Sequence, residues 1–179
     1  MKMYSTIFII LSAAILFTSC DKTETFDDKW KLDNEAQFAL ITNDARYKKI
    51  NSQSGKGFIM QKEIESGDGA TPYFTDRVEV LYTGWYKRDW SKSDTYKDDK
   101  GNIIYNKVIF DSTANRNNIP SKFQIKELVD GFSTALQHMK VGDKWEIWIP
   151  WYMGYGEISS GTIPAYTTLV FEIELVSIL

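Results

Sequence analysis

The sequence has little of what most enzymes are built on. It holds one cysteine, Cys20, and one histidine, His138. A His/Cys metal cluster and a Cys-His nucleophilic pair are therefore not expected in the folded part. No G-x-S-x-G elbow, phosphate loop or G-x-G-x-x-G stretch occurs. No cofactor is implied, and internal repeats are absent. The formal charge is -3 over 179 residues, so there is no basic footprint for a nucleic acid partner. Paired carboxylates fall in exposed-looking stretches such as Asp98-Asp99, which read as a solvated face. His138 reads as a solvated residue on the polar side of a short helix.

What the chain does have is apolar and aromatic mass, 43% and 15% of its residues. That suffices for one domain with a real core, plus extensions. The aromatics gather in the stretch from Val141 to Thr168, where a strand stops at Pro150. The loop after it runs Trp151-Tyr152-Met153-Gly154-Tyr155-Gly156 and then Ile163-Pro164. Aromatics in a loop cost solubility unless they line something, so this stretch reads as one wall of an apolar pocket.

The N-terminus reads as a targeting segment. Lys2 is its basic flank, Ile7 to Phe17 a short apolar run, and Thr18-Ser19-Cys20 its end. The run is short for a membrane span, which takes roughly 18 or more apolar residues. A cysteine at the cleavage point resembles a bacterial lipoprotein signal, with residues 1–19 removed and Cys20 lipidated. An ordinary signal peptide with an incidental cysteine is the alternative. Residues 20–28 read as a polar tether.

Trp30 to Ile50 reads as a helix, with Trp30, Phe38, Ile41, Ala45 and Ile50 near one face and Asp33 or Asn34 as a cap. It either pairs two chains as a homodimer or packs on the neighbouring domain. With the turn at 52–57 it forms an extension, 29–57, before a domain at 58–179. Strands are expected at Phe58 to Ile64, Arg77 to Tyr86, Ile103 to Phe110, Ser121 to Ile125, Lys144 to Ile149 and Thr168 to Val176. Glu127 to Met139 is the one helix within the domain. Gly131 inside it costs roughly 1 kcal/mol relative to alanine, which suggests a close packing neighbour. Lys87 to Asn102 is charged and aperiodic, and residues 87–107 read as an insertion. The total is a sheet-rich α+β domain.

Several motifs then occur in order: Val80 to Gly84 (VLYTG), Phe110 to Ser112 (FDS) with Arg116, Gly131-Phe132, Leu136-x-x-Met139-x-x-Gly142, Ile149-Pro150, Tyr155-Gly156, Ile163-Pro164 and Thr168 to Glu172 (TLVFE). This series resembles the FKBP-type peptidyl-prolyl cis-trans isomerases, especially the bacterial macrophage-infectivity-potentiator kind, from about Phe58 to Leu179. The resemblance implies an antiparallel, strongly curved sheet wrapped around one short helix. It implies a proline pocket made by Tyr82, Phe110, Asp111, Phe123, Val129, Phe132, Tyr155, Ile163 and Phe171. By the same resemblance Asp111, Tyr155 and Tyr82 are the catalytic candidates. Tyr155 and the Val129 N–H would donate to substrate carbonyls, and Asp111 would orient Tyr82 and pair with Arg116, or else contact the twisted carbonyl directly. The implied partners are proline-containing polypeptide clients, a macrolide-type inhibitor, and a membrane reached through lipidated Cys20. The implied location is the envelope of a Gram-negative-type bacterium, at the outer membrane.

This chain departs from the family pattern at three places. Phe132 stands where a tryptophan is usual, Ala165 stands for a second proline, and the segment between Gly84 and Phe110 is much longer. The competing expectation is a weakly catalytic FKBP-fold binding or chaperone lipoprotein, which an insertion covering the pocket would favour. A purely structural lipoprotein would show the pocket filled by its own side chains.

Overall fold

A computed structural model describes residues 25–179 of the chain. The signal-like segment, Cys20 and the start of the tether lie outside the described residues. The elements are α1 (Phe26–Thr42), β1 (Lys48–Asn51), β2 (Phe58–Glu65), β3 (Arg77–Lys87), β4 (Thr95–Lys97), β5 (Ile103–Tyr105), β6 (Lys107–Ser112), β7 (Ser121–Gln124), α2 (Asp130–Leu136), β8 (Lys144–Ile149) and β9 (Leu169–Ile178).

Helix α1 begins and ends earlier than its apolar periodicity suggests. Thr25 and Asp28 form a capping box, which satisfies two otherwise orphan N–H groups. The buried face is Trp30, Asn34, Phe38 and Ile41, at helical spacing. The helix stops at Thr42 because the Asp44 carboxylate accepts from the Arg46 N–H at 3.0 Å, a local turn that competes with helix. Lys48 to Asn51 then pair with β2 as an edge strand.

The main sheet is antiparallel, in the order β1-β2-β8-β9-β3-β6, with β7 also on β3. The long β3 pairs with β9 along its length, and β6 and β7 share its other edge. Alternation puts Val78, Val80 and Tyr82 of β3, Ile147 and Ile149 of β8, and Phe171, Ile173 and Leu175 of β9 in the principal core. Helix α2 lies against this face. It is shorter than the Glu127 to Met139 segment because Ile125–Glu127 forms a 3-10 turn and Leu128 and Val129 are extended. Gly131 is needed there, since a Cβ would stand 2.3 Å from Ile149 Cγ2.

The expectation of a strongly curved sheet wrapped around the helix does not hold. The sheet is an open ladder whose end strands, β1 and β6, do not meet, and it is neither curled nor closed. Helix α2 has seven residues, roughly 10 Å of length, which is little to wrap around. The other face of the sheet is also apolar. Met60, Trp148 and Val170 form a second buried cluster there, covered by Phe38 and Ile41 of α1. The sheet is therefore covered on both faces, by α2 on one and by α1 on the other.

The insertion is folded back on the same side as α1. Asn106 is fully buried, and its side chain donates to the carbonyls of Asp89, Lys92 and Ser93. That knot breaks the expected Ile103 to Phe110 strand into β5, which pairs with β4, and β6. Trp90 packs on Trp85 and Trp148, with ring centres 6.2 and 5.4 Å away.

Candidate active site

A cavity of about 260 Å³ opens between α2 and the sheet. Its lining is Tyr82, Phe110, Asp111, Phe123, Glu127, Leu128, Val129, Phe132, Tyr155 and Phe171. Phe132 forms the bottom, buried to 4% exposure. Its ring meets Phe171 edge-on at 5.0 Å and Tyr82 at 6.0 Å. Such edge-to-face pairs fix ring orientation beyond simple area burial. Gly84 makes the wall possible: a Cβ there would stand 2.5 Å from the Phe171 ring and 2.6 Å from that of Phe110. Those two rings cross at 5.4 Å.

One polar cluster stands at the rim. The Tyr82 hydroxyl donates to Asp111 Oδ2. Arg116 donates to Asp111 Oδ1 at 2.7 Å and to Ser121 Oγ at 3.2 Å. Burial, with the Asp111 hydrogen bond added, pushes the Tyr82 phenol up to about 12. Burial alone would raise the Asp111 carboxyl, but the hydrogen bonds from Tyr82 and Arg116 outweigh it and hold the group below the ordinary carboxylate value. The rim is therefore a neutral phenol, a carboxylate and a guanidinium at neutral pH.

Two residues lining the cavity carry a donor with no partner among the described residues. One is the Val129 N–H, just before α2, and the other is the Tyr155 hydroxyl, on a half-exposed side chain. An aromatic bowl with two such donors in its lining suits an apolar ring flanked by amide carbonyls. A larger depression, about 590 Å³, is lined by Gln53, residues 71–75 and Gln137, but it is more polar and wide open. The aromatic cavity fits an apolar ring better.

The structure gathers Tyr82, Phe110, Asp111, Phe123, Val129, Phe132, Tyr155 and Phe171 around one cavity, and leaves out Ile163. That side chain is buried in the principal core, beside a backbone bridge between Ser160 and Ile163. Glu127 and Leu128 line the cavity without having been singled out. Their signal was position, since they immediately precede Val129 and the 3-10 turn brings them to the mouth. No residue of the insertion at 87–107 lines the cavity.

Residues 69–176 match the family model described as FKBP-type peptidyl-prolyl cis-trans isomerase. The chain is 36% identical over 141 residues to the FKBP-type 22 kDa peptidyl-prolyl cis-trans isomerase of Escherichia coli, covering 78% of this chain and 58% of that protein. It is 32% identical over 121 residues to the outer membrane protein MIP of Legionella longbeachae, covering 67% and 44%. Among solved structures, a peptidyl-prolyl cis-trans isomerase of Pseudomonas syringae superposes with a TM-score of 0.63 at 27% identity, over 87% of this chain and 98% of that one. The chain spans about half the length of the curated relatives it matches.

Proposed function

The chain belongs to the FKBP-type peptidyl-prolyl cis-trans isomerases, and we propose that it rotates X-Pro bonds of polypeptide clients in the aromatic cavity, without a covalent step. The observation that carries this is the open bowl floored by Phe132, with the Val129 N–H and the Tyr155 hydroxyl in its lining and unpartnered among the described residues.

Rotation about a peptide bond faces a barrier of about 18–20 kcal/mol, from the double-bond character of C–N. For X-Pro the cis form lies only about 0.5–1 kcal/mol above trans, yet exchange takes tens to hundreds of seconds. No bond breaks, so neither nucleophile nor metal is required. The site has only to favour the twisted amide over the planar one. The planar amide is more charge-separated and better stabilised by water, so a bowl that excludes water raises it relative to the twisted form. Each 1.36 kcal/mol of such preference is worth tenfold in rate.

In this scheme Phe132 carries the prolyl ring, with Tyr82, Phe110 and Phe171 around it. Tyr155 and Val129 N–H donate to the flanking carbonyls. Asp111 holds Tyr82 and Arg116 in place at the rim, or else contacts the twisted carbonyl directly from the cavity lining. Ile163 acts only as an inner prop of the lip. That the insertion lines none of the cavity supports an open mouth over a gated binding module. The unfilled volume argues against a purely structural role.

The remaining assignments extend the same reading. Residues 58–179 form the isomerase domain, and Cys20 carries a lipid that anchors it at the outer membrane, where clients are exported proteins. A homodimer through the N-terminal helix would use its outer side, where Leu32 and Leu40 are exposed. A macrolide would occupy the same cavity as proline. A cis-trans assay on proline tetrapeptides, with and without a macrolide inhibitor of the family, tests the reading. The expected result is catalysed exchange that the macrolide abolishes. Spontaneous exchange at all protein concentrations refutes it.

A further inference from the structure

Helix α1 precedes the region matched by the family model, yet one side of it holds the loop that carries Tyr155. The grip is made by four residues of α1. Trp30 Nε1 donates to Thr167 Oγ1 at 3.1 Å. Lys31 Nζ lies over the rings of Trp151 and Tyr166, at 4.9 and 5.0 Å from their centres. Asn34 Oδ1 accepts from the Thr168 N–H at 2.9 Å, and the Thr168 hydroxyl donates to the Asn34 carbonyl at 3.2 Å. Glu35 Oε1 accepts from Trp151 Nε1 at 3.0 Å.

These contacts lead directly to Tyr155. Its neighbour Gly156 is held at both ends: its N–H donates to the Trp151 carbonyl at 2.9 Å, and its carbonyl accepts from the Tyr166 N–H at 2.8 Å. Both partners are residues that α1 grips. Tyr166 itself is left-handed, at φ 58°. A bulky residue there is strained and persists only where its surroundings impose it.

Asn34 is the centre of the arrangement. It is fully buried. Its Oδ1 also accepts from Trp90 Nε1 of the insertion at 3.0 Å, and its Nδ2 donates to the Trp30 carbonyl at 2.8 Å. A buried amide that satisfies three separate segments fixes their mutual positions, because each unmet group would carry its own desolvation cost.

We propose that Asn34 is a positioning residue for prolyl isomerisation, acting from the N-terminal helix by fixing the 151–168 loop and through it the Tyr155 hydroxyl. This rests on the isomerase reading above. The cavity floor does not depend on it, since Phe132, Tyr82 and Phe171 are held by the sheet and α2.

The test uses the purified full chain and two variants. Asn34→Ala removes the junction, and Tyr47→Phe removes the hydrogen bond from Tyr47 to Glu146, which fastens the segment just after the same helix. All are assayed on proline tetrapeptides at a temperature where each is fully folded. Asn34→Ala is expected to lower kcat about tenfold, the scale of one misoriented contact, with KM within about twofold. Tyr47→Phe is expected to stay near wild type in both. In amide exchange, the Thr168 N–H of Asn34→Ala should lose protection while those of the β8–β9 ladder keep theirs. An active wild type whose Asn34→Ala variant keeps its kcat overturns the proposal, as does an equal loss in Tyr47→Phe. If the wild type itself is inactive, the isomerase reading has failed instead. Tyr155 ring resonances then decide the positioning claim, and shifts unchanged in Asn34→Ala overturn it.

Discussion

The floor and the lip of the cavity are held by different physics. The floor is Phe132 with Tyr82 and Phe171 beside it, rings on α2, β3 and β9 within the main core, both neighbours meeting Phe132 edge-on. The lip is Tyr155, half exposed, on a loop held by its own hydrogen bonds, by one from Tyr86 and by hydrogen bonds and cation-π contacts from α1. The floor is thus inseparable from folding, while the lip can be loosened without unfolding the domain. Substitutions should separate the two, with stability falling at the floor and turnover falling at the lip.

The largest effect belongs to Phe132→Ala. Emptying a buried aromatic site should cost about 3–5 kcal/mol in denaturant unfolding and remove activity with it. A cost well under ~1 kcal/mol would mean that the floor is not core. Next is Gly131→Ala, whose methyl group meets Ile149 at the back of α2. Overpacking of this kind costs about 1–3 kcal/mol. It should also displace the Val129 N–H, so KM for tetrapeptides should rise even in the folded fraction.

Tyr155→Phe should do the opposite. Its hydroxyl has no partner among the described residues, so thermal unfolding should be unmoved while kcat/KM falls about tenfold, or 1.36 kcal/mol. A parallel loss of stability would erase the distinction between floor and lip.

The smallest effect concerns pH. The Asp111 carboxyl is held below its unfolded value, so its contribution is complete above about 3.9 and is lost as pH falls through the folded value. Tyr82 is raised to about 12, so its contribution is complete below the unfolded phenol value and is lost as pH climbs toward 12. Isomerisation should therefore be flat from about pH 5 to about pH 9. Asp111→Asn should remove the acid limb of that profile. A bell centred near neutrality would require a titrating group that the rim does not contain.

The same division governs what could be read from the sequence. Strand β3 alternates along its whole length and β9 from Phe171 onward, and the expected strand Lys144 to Ile149 coincides with the limits of β8. The floor residues fall on those strands and on α2, so periodicity and motif order located them together. The lip and its support had no such signal. Strand β1, with the sequence Lys-Lys-Ile-Asn, is defined by its partner rather than by its own pattern. Asn34 looks like a candidate cap, and its role depends on a contact 134 positions away. Asn106 and Trp90 sit in a charged stretch whose fold is set by one buried amide. Ile163 lies in the same loop as Tyr155, but its side chain is buried in the principal core and is not among the residues lining the cavity. The expected curvature failed for a related reason. The apolar residues on the second face of the sheet are readable, but that α1 covers them is a fact of tertiary packing.

The most direct single measurement is exchange spectroscopy on one X-Pro tetrapeptide, with catalytic amounts of the wild-type chain and of Tyr155→Phe. The account predicts that the wild type drives cis-trans exchange well above the spontaneous rate and that Tyr155→Phe does so more weakly, at unchanged fold stability. Exchange at the spontaneous rate with the wild type, or equal acceleration by both chains, would contradict it.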